Sequence, residues 1–578
     1  MRPRALSGGR AARGPPGRRW PIPPGLRTLP EHRPRRAAAP PGLPRPLLPR
    51  RPLLLCTLAA LGLAGAARPA RAEDDPVATG VRRLLDAPTV ETRRRLAADL
   101  VAAKPDFARV ADALAAGRAY RKDVSTGWLE RTQRCPDGKD RPYLLYVPRD
   151  YDPARRYRLV VELHGGVGRP ALLTHEELGG LKELRGAHAE EHGYLLALPT
   201  GERKAEWWTD VGVGSVLGIV AAAKRELNVD ENRVFVTGFS DGGSGSFYLA
   251  LTHPTPFAGF EPLNGHVGVA AAGGLEVHLR GLRNKPIYAV NTDQDGLYPS
   301  AALKPVADAI QALGAPFVWR EIKGFGHDPS YLETERAPIW AWEQQVVRTP
   351  HPTTIVWEGT AAAPSRVHGL GRVRVAPRAG GEAAFPDVNP LLPPGKPKLG
   401  VTVDQEFTGE GVRVTAIARG SPAASAGVET GDVIVGLDDA KIAGFRDLRA
   451  ALGAKQPGDT VRVKVRRGDA VLEKTATFPD AKPEPAFERG ATWGAIELTQ
   501  QGNTFTATTR NVEGFDLWLG VGAVDFAAPV VVTVNGAEVF RKVVAKDVAF
   551  LLERALEDDD RTMLYGAGLS IEVPPPAK

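Results

Sequence analysis

Arg233-Val234-Phe235-Val236-Thr237-Gly238-Phe239-Ser240-Asp241-Gly242-Gly243 decides how this chain is read. A short apolar, β-branched run enters Gly-x-Ser-x-Gly, and a helix-like run, Ser244–Thr252, leaves it. Strand, sharp turn and helix in that order push one serine side chain clear of the backbone. Gly238 and Gly242 fit because a Cβ at either place would collide across so tight a turn. The helix N-terminus after Ser240 favours negative charge developing beside it.

A serine hydroxyl is a weak nucleophile until a base takes its proton and a third group orients that base. Downstream, the apolar run Pro286–Asn291 opens into Thr292-Asp293-Gln294-Asp295-Gly296-Leu297-Tyr298-Pro299. Asp295 is the favoured acid, because an Asp followed four residues later by Pro matches the usual acid-loop spacing. Asp293 is the alternative, with a turn cap as its plainer role. After Phe317–Ile322 comes Gly324-Phe325-Gly326-His327-Asp328, and His327 is the candidate base. His253, His266 and His278 read as surface-loop histidines, although His266 sits at a strand end from which it can line the cleft. Upstream, Leu163-His164-Gly165-Gly166-Val167-Gly168 follows the run Arg158–Leu163. Its glycines let backbone N–H groups approach a substrate oxygen, so Gly165, Gly166 and the N–H of Asp241 are the candidate oxyanion donors.

Around these motifs the pattern alternates. Tyr143–Val147, Arg158–Leu163, Tyr194–Leu198, Arg233–Thr237, Gly259–Leu263, Pro286–Asn291 and Phe317–Ile322 read as strands. Several are continuous apolar runs of the kind buried on both faces of a parallel sheet. Gly214–Leu227, Ser244–Thr252 and Leu303–Leu313 read as helices between them. The fold class is α/β, a doubly wound sheet over about residues 128–347.

That stretch resembles the α/β-hydrolases of the polyhydroxybutyrate depolymerase-like and feruloyl or acetyl-xylan esterase-like group, and more distantly the catalytic domain of prolyl oligopeptidases. Arg141-Pro142-Tyr143, Tyr146-Val147-Pro148, Leu163–Gly166, Pro199-Thr200-Gly201, Trp207-Trp208, Gly238–Gly243 and Gly326-His327 carry the resemblance. It implies ester or peptide hydrolysis through an acyl-enzyme, with no metal and no cofactor. Esters are favoured, since only about 55 mature residues precede the domain, where a prolyl-type peptidase carries a propeller. Those esterases often have Met or Gln after the serine; here Asp241 stands there, and its charge disfavours acidic substrates. Trp207 and Trp208 are candidates to line the substrate site, with plain core as the alternative.

Residues 397–480 resemble a PDZ domain of bacterial protease type, on Leu399-Gly400-Val401, Gly420-Ser421-Pro422-Ala423, Ala426-Gly427-Val428 and Gly431-Asp432-Val433-Ile434. The resemblance implies that the Leu399-Gly400-Val401 loop holds a peptide C-terminal carboxylate while the peptide adds a strand. A spacer that binds nothing is the alternative. Residues 486–578 are strand-rich, with a hairpin signal at Asn535-Gly536. Thr354–Trp357 and Gly371–Val375, within 348–396, read as first strands of the same sandwich, which makes the PDZ unit an insertion. Residues 73–127 read as a helical prefix broken at Pro88 and Pro105.

The whole-chain charge of +8 misleads. Residues 1–72 hold fifteen Arg against the single acid Glu31, a net +14, which leaves −6 for the rest. A basic nucleic-acid footprint on the folded part is therefore not expected. Pro- and Arg-rich residues 1–49 read as unstructured, and Arg50-Arg51 followed by Leu53–Ala67 and Ala70-Arg71-Ala72 reads as a signal peptide. An apolar run of about 15 residues is short for a membrane span. Export to the periplasm or medium is the expectation, with no span after cleavage near Ala72. Cleavage removes Cys56 and leaves Cys135 alone, so no internal disulfide is expected.

Overall fold

The structure is a computed structural model describing residues 75–393, 397–404, 407–480 and 482–575. The signal-peptide reading of residues 1–72 lies outside them.

Eight strands form the central sheet: β1 Gly127–Arg134, β2 Asp140–Val147, β3 Tyr157–Leu163, β4 Leu195–Pro199, β5 Val229–Phe239, β6 Gly259–Leu263, β7 Ile287–Thr292 and β8 Phe317–Ile322. Their spatial order is β1-β2-β4-β3-β5-β6-β7-β8. The pairs β1–β2 and β2–β4 are antiparallel and the other pairs parallel. β3, β4, β6 and β7 are buried along their whole length, as continuous apolar runs demand. Alternation inside the runs feeds two cores. Leu145, Leu159, Val161, Val234 and Val236 face one, while Leu144, Tyr146, Val160, Leu196 and Phe235 face the other. Both faces are therefore covered, and this is a doubly wound α/β-hydrolase sheet.

β1 was not foreseen. Gly127-Trp-Leu-Glu-Arg-Thr-Gln-Arg134 has no apolar run, and the strand forms at the sheet edge with alternate residues exposed. A turn over Cys135–Lys139 joins it to β2, with Gly138 at φ 74°. Cys135 is buried there. On the second face, helices Lys182–His192 and Leu332–Gln345 are fastened through buried charge. Arg185 lies 2.7 Å from Glu261, 3.3 Å from Glu343 and 3.7 Å from Glu162. Arg158 reaches Glu343 at 2.8 Å.

The C-terminal β-rich region is two sheets around one core. Ala537–Val543, Pro529–Val534, Thr504–Arg510, Trp493–Gln501 and Thr354–Thr360 form one in that order, and Leu370–Val375, Val512–Gly520 and Tyr565–Glu572 the other. Ile355, Trp357, Ile496, Phe505, Val512, Leu517 and Ile571 meet between them. The two strands before residue 397 thus pair with strands after residue 486. The unit between them leaves and returns through a two-residue ladder, Leu391–Leu392 against Glu484–Pro485. A helix, Val548–Asp558, joins the β-rich region, and the prefix helices Pro76–Asp86 and Phe107–Ala116 pack on it through Val81, Leu84, Val110 and Leu114. Arg348–Asp560, Arg561–Glu231 and Arg280–Glu358 tie the region to the hydrolase sheet.

Candidate active site

β5 ends at Phe239 and the helix Asp241–Thr252 begins two residues later, leaving Ser240 at φ 61°, ψ −119°. An L-residue is strained there and persists only when its surroundings hold it. They do: Ser240 N–H donates to Leu263 O at 2.9 Å, and Ser240 C=O accepts from Ser244 N–H at 3.0 Å. A Cβ on Gly242 would sit 1.9 Å from Leu163 O, and one on Gly238 2.5 Å from the same oxygen. Strands β3, β5 and β6 thus close around the serine with no room for a side chain at either glycine.

His327, on the loop after β8, points Nε2 at Ser240 Oγ, 2.8 Å away, and Nδ1 at Asp295 Oδ2, 2.7 Å away. An Nδ1–H donated to the carboxylate leaves Nε2 free to accept the serine proton. Asp295 is buried on the loop after β7. Its Oδ1 accepts from the N–H of Leu297 at 2.7 Å and of Tyr298 at 2.8 Å, and its Oδ2 also accepts from Asn264 Nδ2 at 2.8 Å. Burial opposes ionisation, but the hydrogen bonds from Asn264, His327 and the two amides outweigh it and hold the carboxyl below its usual range. Asp293, the alternative acid, instead caps a turn by accepting from Gly324 N–H at 2.7 Å.

The Gly165–Gly166 loop leaves β3 directly against the serine. A Cβ on Gly165 would lie 2.9 Å from Ser240 Cβ, and Gly166 has φ 69°. Asp241, in the first helical turn, turns its carboxylate to this loop, and Oδ2 accepts from Val167 N–H at 2.9 Å. That carboxylate is thus engaged by protein backbone on one oxygen. Beneath the loop, His164 is buried. Its Nδ1 bonds Gly165 O at 2.8 Å and its Nε2 accepts from Gly201 N–H at 3.0 Å. Burial pushes its pKa down, so the ring is neutral and can play both roles.

Two expectations need correction. Trp207 is fully buried and donates Nε1–H to His164 O at 2.9 Å, so it braces the loop and does not line the cleft. Trp208 is half-buried against the same core. His253, His266 and His278 are not surface-loop histidines. His278 is buried, His253 caps the C-terminus of the serine's helix, and half-buried His266 stands 5.7 Å from the Tyr298 ring, itself 5.9 Å from His327. Asn264 escaped the sequence reading altogether. At φ 44° after β6, its Nδ2 donates to both Asp295 and Thr292 Oγ1, and Thr292 in turn donates to Gly326 O beside His327. An Asn at a strand end followed by Gly is the available signal, since Asn tolerates the left-handed region.

In the inserted unit, strands run in the order Val401–Val403, Val412–Ile417, Val433–Leu437, Thr460–Arg467, Ala470–Thr477, with helix Phe445–Gly453 packed on their core. Gly400 has φ 75°, and a Cβ there would lie 2.3 Å from Ser421 Cβ. Leu399 O accepts from Ala423 N–H and Gly400 O from Ala418 N–H, and Leu399 is buried.

Residues 397–477 match the family model for the PDZ domain. The chain is 28% identical over 138 residues to the probable feruloyl esterase C of Aspergillus terreus, covering 23% of this chain and 50% of that one. It is 24% identical over 227 residues to the probable feruloyl esterase C of Aspergillus niger, covering 35% and 83%. The chain spans about half the length of most curated relatives it matches. A thermostable esterase structure aligns over 38% of this chain and 63% of its own, with TM-score 0.33 and 22% identity. Among the described residues no helix is long and apolar enough to cross a membrane.

Proposed function

We propose that this chain is an exported serine hydrolase that cleaves carboxylic esters through an acyl-enzyme, with Ser240, His327 and Asp295 as its triad. The observation that carries the reading is the line of contacts from Asp295 Oδ2 through the His327 ring to Ser240 Oγ, 2.7 and 2.8 Å long. Ser240 Oγ attacks the ester carbonyl carbon while His327 Nε2 takes the hydroxyl proton. The N–H of Asp241 and those of the Gly165–Gly166 loop receive the oxyanion. As the tetrahedral species collapses, the C–O bond to the alcohol breaks and His327 returns the proton to the leaving alkoxide. Water then enters by the same route, giving its proton to His327, and the acid leaves as Ser240 regains a hydrogen. Asp295, kept ionised by its donors, stabilises the imidazolium that forms twice in each cycle. The feruloyl esterase relatives support an ester over a peptide bond. The PDZ domain supports a second site, for a peptide C-terminus.

A fluorophosphonate probe tests the core of this reading. Protein lacking residues 1–72 is expected to label stoichiometrically and Ser240→Ala not at all; equal labelling of the two rejects Ser240 as nucleophile. Feruloyl, acetyl-sugar and aryl esters run beside short peptides then rank the substrates, and peptides turned over faster than every ester overturn the ester assignment.

A further inference from the structure

We propose that the esters cleaved at Ser240 carry a second, anionic group, a carboxylate, phosphate or sulfate, and that Arg169 and Arg203 bind it beside the oxyanion loop. This rests on the ester-hydrolase reading above and names the substrate class of that site. It reverses the preference that the charge of Asp241 alone implies.

Both arginines are built onto the loop that faces the serine. Gly165 packs against Ser240, and Arg169 follows four residues later. Arg169 Nε–H donates to Gly166 O at 3.1 Å, and its Nη2 lies 3.7 Å from the point that a Cβ on Gly166 would occupy. Arg203 comes from the turn after β4. Its backbone N–H donates to Arg169 O at 2.8 Å, and its Nε–H to Gly168 O at 3.2 Å. Each guanidinium thus spends one donor on the loop and is fixed there by it. Among the described residues the Nη groups of both have no protein acceptor. A planar guanidinium with its Nη edge open is suited to grip two oxygens of a carboxylate, phosphate or sulfate at once.

The charge here is left uncompensated. Arg185, Arg158 and Arg141 in the same domain each sit against acids. Among the described residues no carboxylate comes within ion-pair distance of Arg169, Arg203 or Lys204. The acids nearest in sequence or space are engaged elsewhere. Glu202 meets Arg141 at 3.0 Å, and Asp241 Oδ2 holds Val167 N–H. Glu206 pairs with none of the three cations. Lys204 adds to the field from a left-handed backbone, φ 75°, in a turn closed by Ala205 N–H on Glu202 O. A lysine is strained there, and strain kept beside a reaction site points to use.

The placement fixes what these cations can do. An ester seated with its carbonyl oxygen on the Gly165–Gly166 amides has Arg169 beside the second of those residues. Whichever half of the ester turns that way meets positive charge before it meets any acid. Exposed cations at a site mouth speed the approach of an anion as well as holding it, so the preference belongs in kcat/KM and weakens with salt.

Four esters test the proposal with chain lacking residues 1–72. Mono-4-nitrophenyl adipate beside its methyl ester places the anion on the acid half. 4-Acetoxybenzoate beside methyl 4-acetoxybenzoate places it on the alcohol half. Each kcat/KM is divided by the spontaneous hydrolysis rate of that ester. In at least one pair the anionic member is expected to lead by about fivefold or more, the order that two exposed ion pairs supply. The pair that responds says which half carries the anion. In about 1 M salt, where the screening length is about 3 Å, the lead is expected to shrink. Arg169→Gln combined with Arg203→Gln keeps an amide donor for the loop carbonyls and removes both charges. The ratio is expected to fall to about one in this variant, whereas loss of loop bracing alone slows both members of a pair alike and leaves their ratio unmoved. A ratio of one or below in both pairs, no turnover of either anionic ester, a lead indifferent to salt, or a ratio unchanged in the double variant each overturns the proposal. Turnover of the neutral esters together with any of these leaves the ester-hydrolase reading standing. If all four esters are inert and Ser240 takes no fluorophosphonate, that reading has failed and the anion preference with it.

Discussion

Two glycine loops in this chain, Gly165–Gly166 beside Ser240 and Gly400 in the PDZ domain, are the ones proposed to offer backbone N–H groups to negative charge, and they are braced very differently. The first is held from three sides. Trp207 and His164 support it from below, and the Asp241 carboxylate holds Val167 from the helix. The second rests on two backbone hydrogen bonds, to Ala418 and Ala423, and is flanked by exposed Lys398 and Arg419. The difference follows from what each anion is. An oxyanion exists only in passing, so its donors must be in place beforehand, in a site that needs no rearrangement. A peptide carboxylate is a resident ligand, and long-range attraction plus some adjustment on arrival serve it well enough.

The sharpest way to break this comparison is to give each loop a methyl group. Gly165→Ala places Cβ 2.9 Å from Ser240 Cβ and 3.1 Å from Phe239 O, so loop and serine must part. Loss of one oxyanion donor costs about 10²–10³-fold in kcat. That loss is expected in aryl-ester hydrolysis with the melting temperature nearly unchanged, and a fall under tenfold removes the loop from the oxyanion site. Gly400→Ala meets Ser421 Cβ at 2.3 Å from a backbone at φ 75°. Its expected result is loss of free-acid peptide binding by anisotropy, and retained binding takes the carboxylate away from this loop.

A smaller effect isolates the brace itself. Asp241→Ala removes the acceptor for Val167 N–H while leaving the Asp241 amide in place. A loop that is aimed but no longer held is expected to lose about tenfold to a hundredfold in kcat with KM little changed, within the range seen when a positioned group is misplaced. Asp241→Asn keeps an oxygen acceptor and is expected to recover most of that loss. If Asn is as poor as Ala, the charge itself matters and the bracing role falls.

What could be read beforehand divides along the same line. Ser240, His327 and the strands around them announce themselves locally, because apolar runs, glycines and loop residues each follow from neighbours in sequence. The bracing does not. Trp207 reads equally as site lining or as core, because nothing in Glu206-Trp207-Trp208 says that one indole turns inward to a carbonyl 43 residues earlier. Spacing to Pro299 favours Asp295 over Asp293 but does not exclude the latter, and the two separate only in space, where Asp295 meets His327 and Asn264 while Asp293 caps the turn at Gly324. β1 lacks an apolar run because an edge strand buries little, and the antiparallel start of the sheet is a fact of pairing that periodicity does not encode. Helix Val548–Asp558 did carry a signal, Asp547 as cap and Val548, Leu551, Leu552 and Ala555 at helical spacing, which the surrounding strand pattern overshadowed.

The gentlest distinction between the two loops is acid. His164 must be neutral to accept from Gly201 N–H while bonding Gly165 O, and burial holds its folded pKa below the usual 6.5. The unfolded chain therefore takes up this proton first as pH falls. The stability that His164 contributes is complete above about pH 6.5 and drains away below it until the folded pKa is reached, at no more than about 1.4 kcal/mol per pH unit. His164→Gln keeps a side-chain donor and acceptor but cannot titrate. Urea unfolding midpoints measured from pH 7.5 to 5 are expected to fall less steeply in His164→Gln than in the parent chain. Other histidines with lowered pKa, buried His278 and half-buried His351 among them, steepen both curves alike, so only the difference between the two proteins belongs to His164. The PDZ loop has no histidine in it, so free-acid peptide binding is expected to hold level over the same range. Parallel unfolding curves would mean that His164 does not brace the loop through its neutral ring.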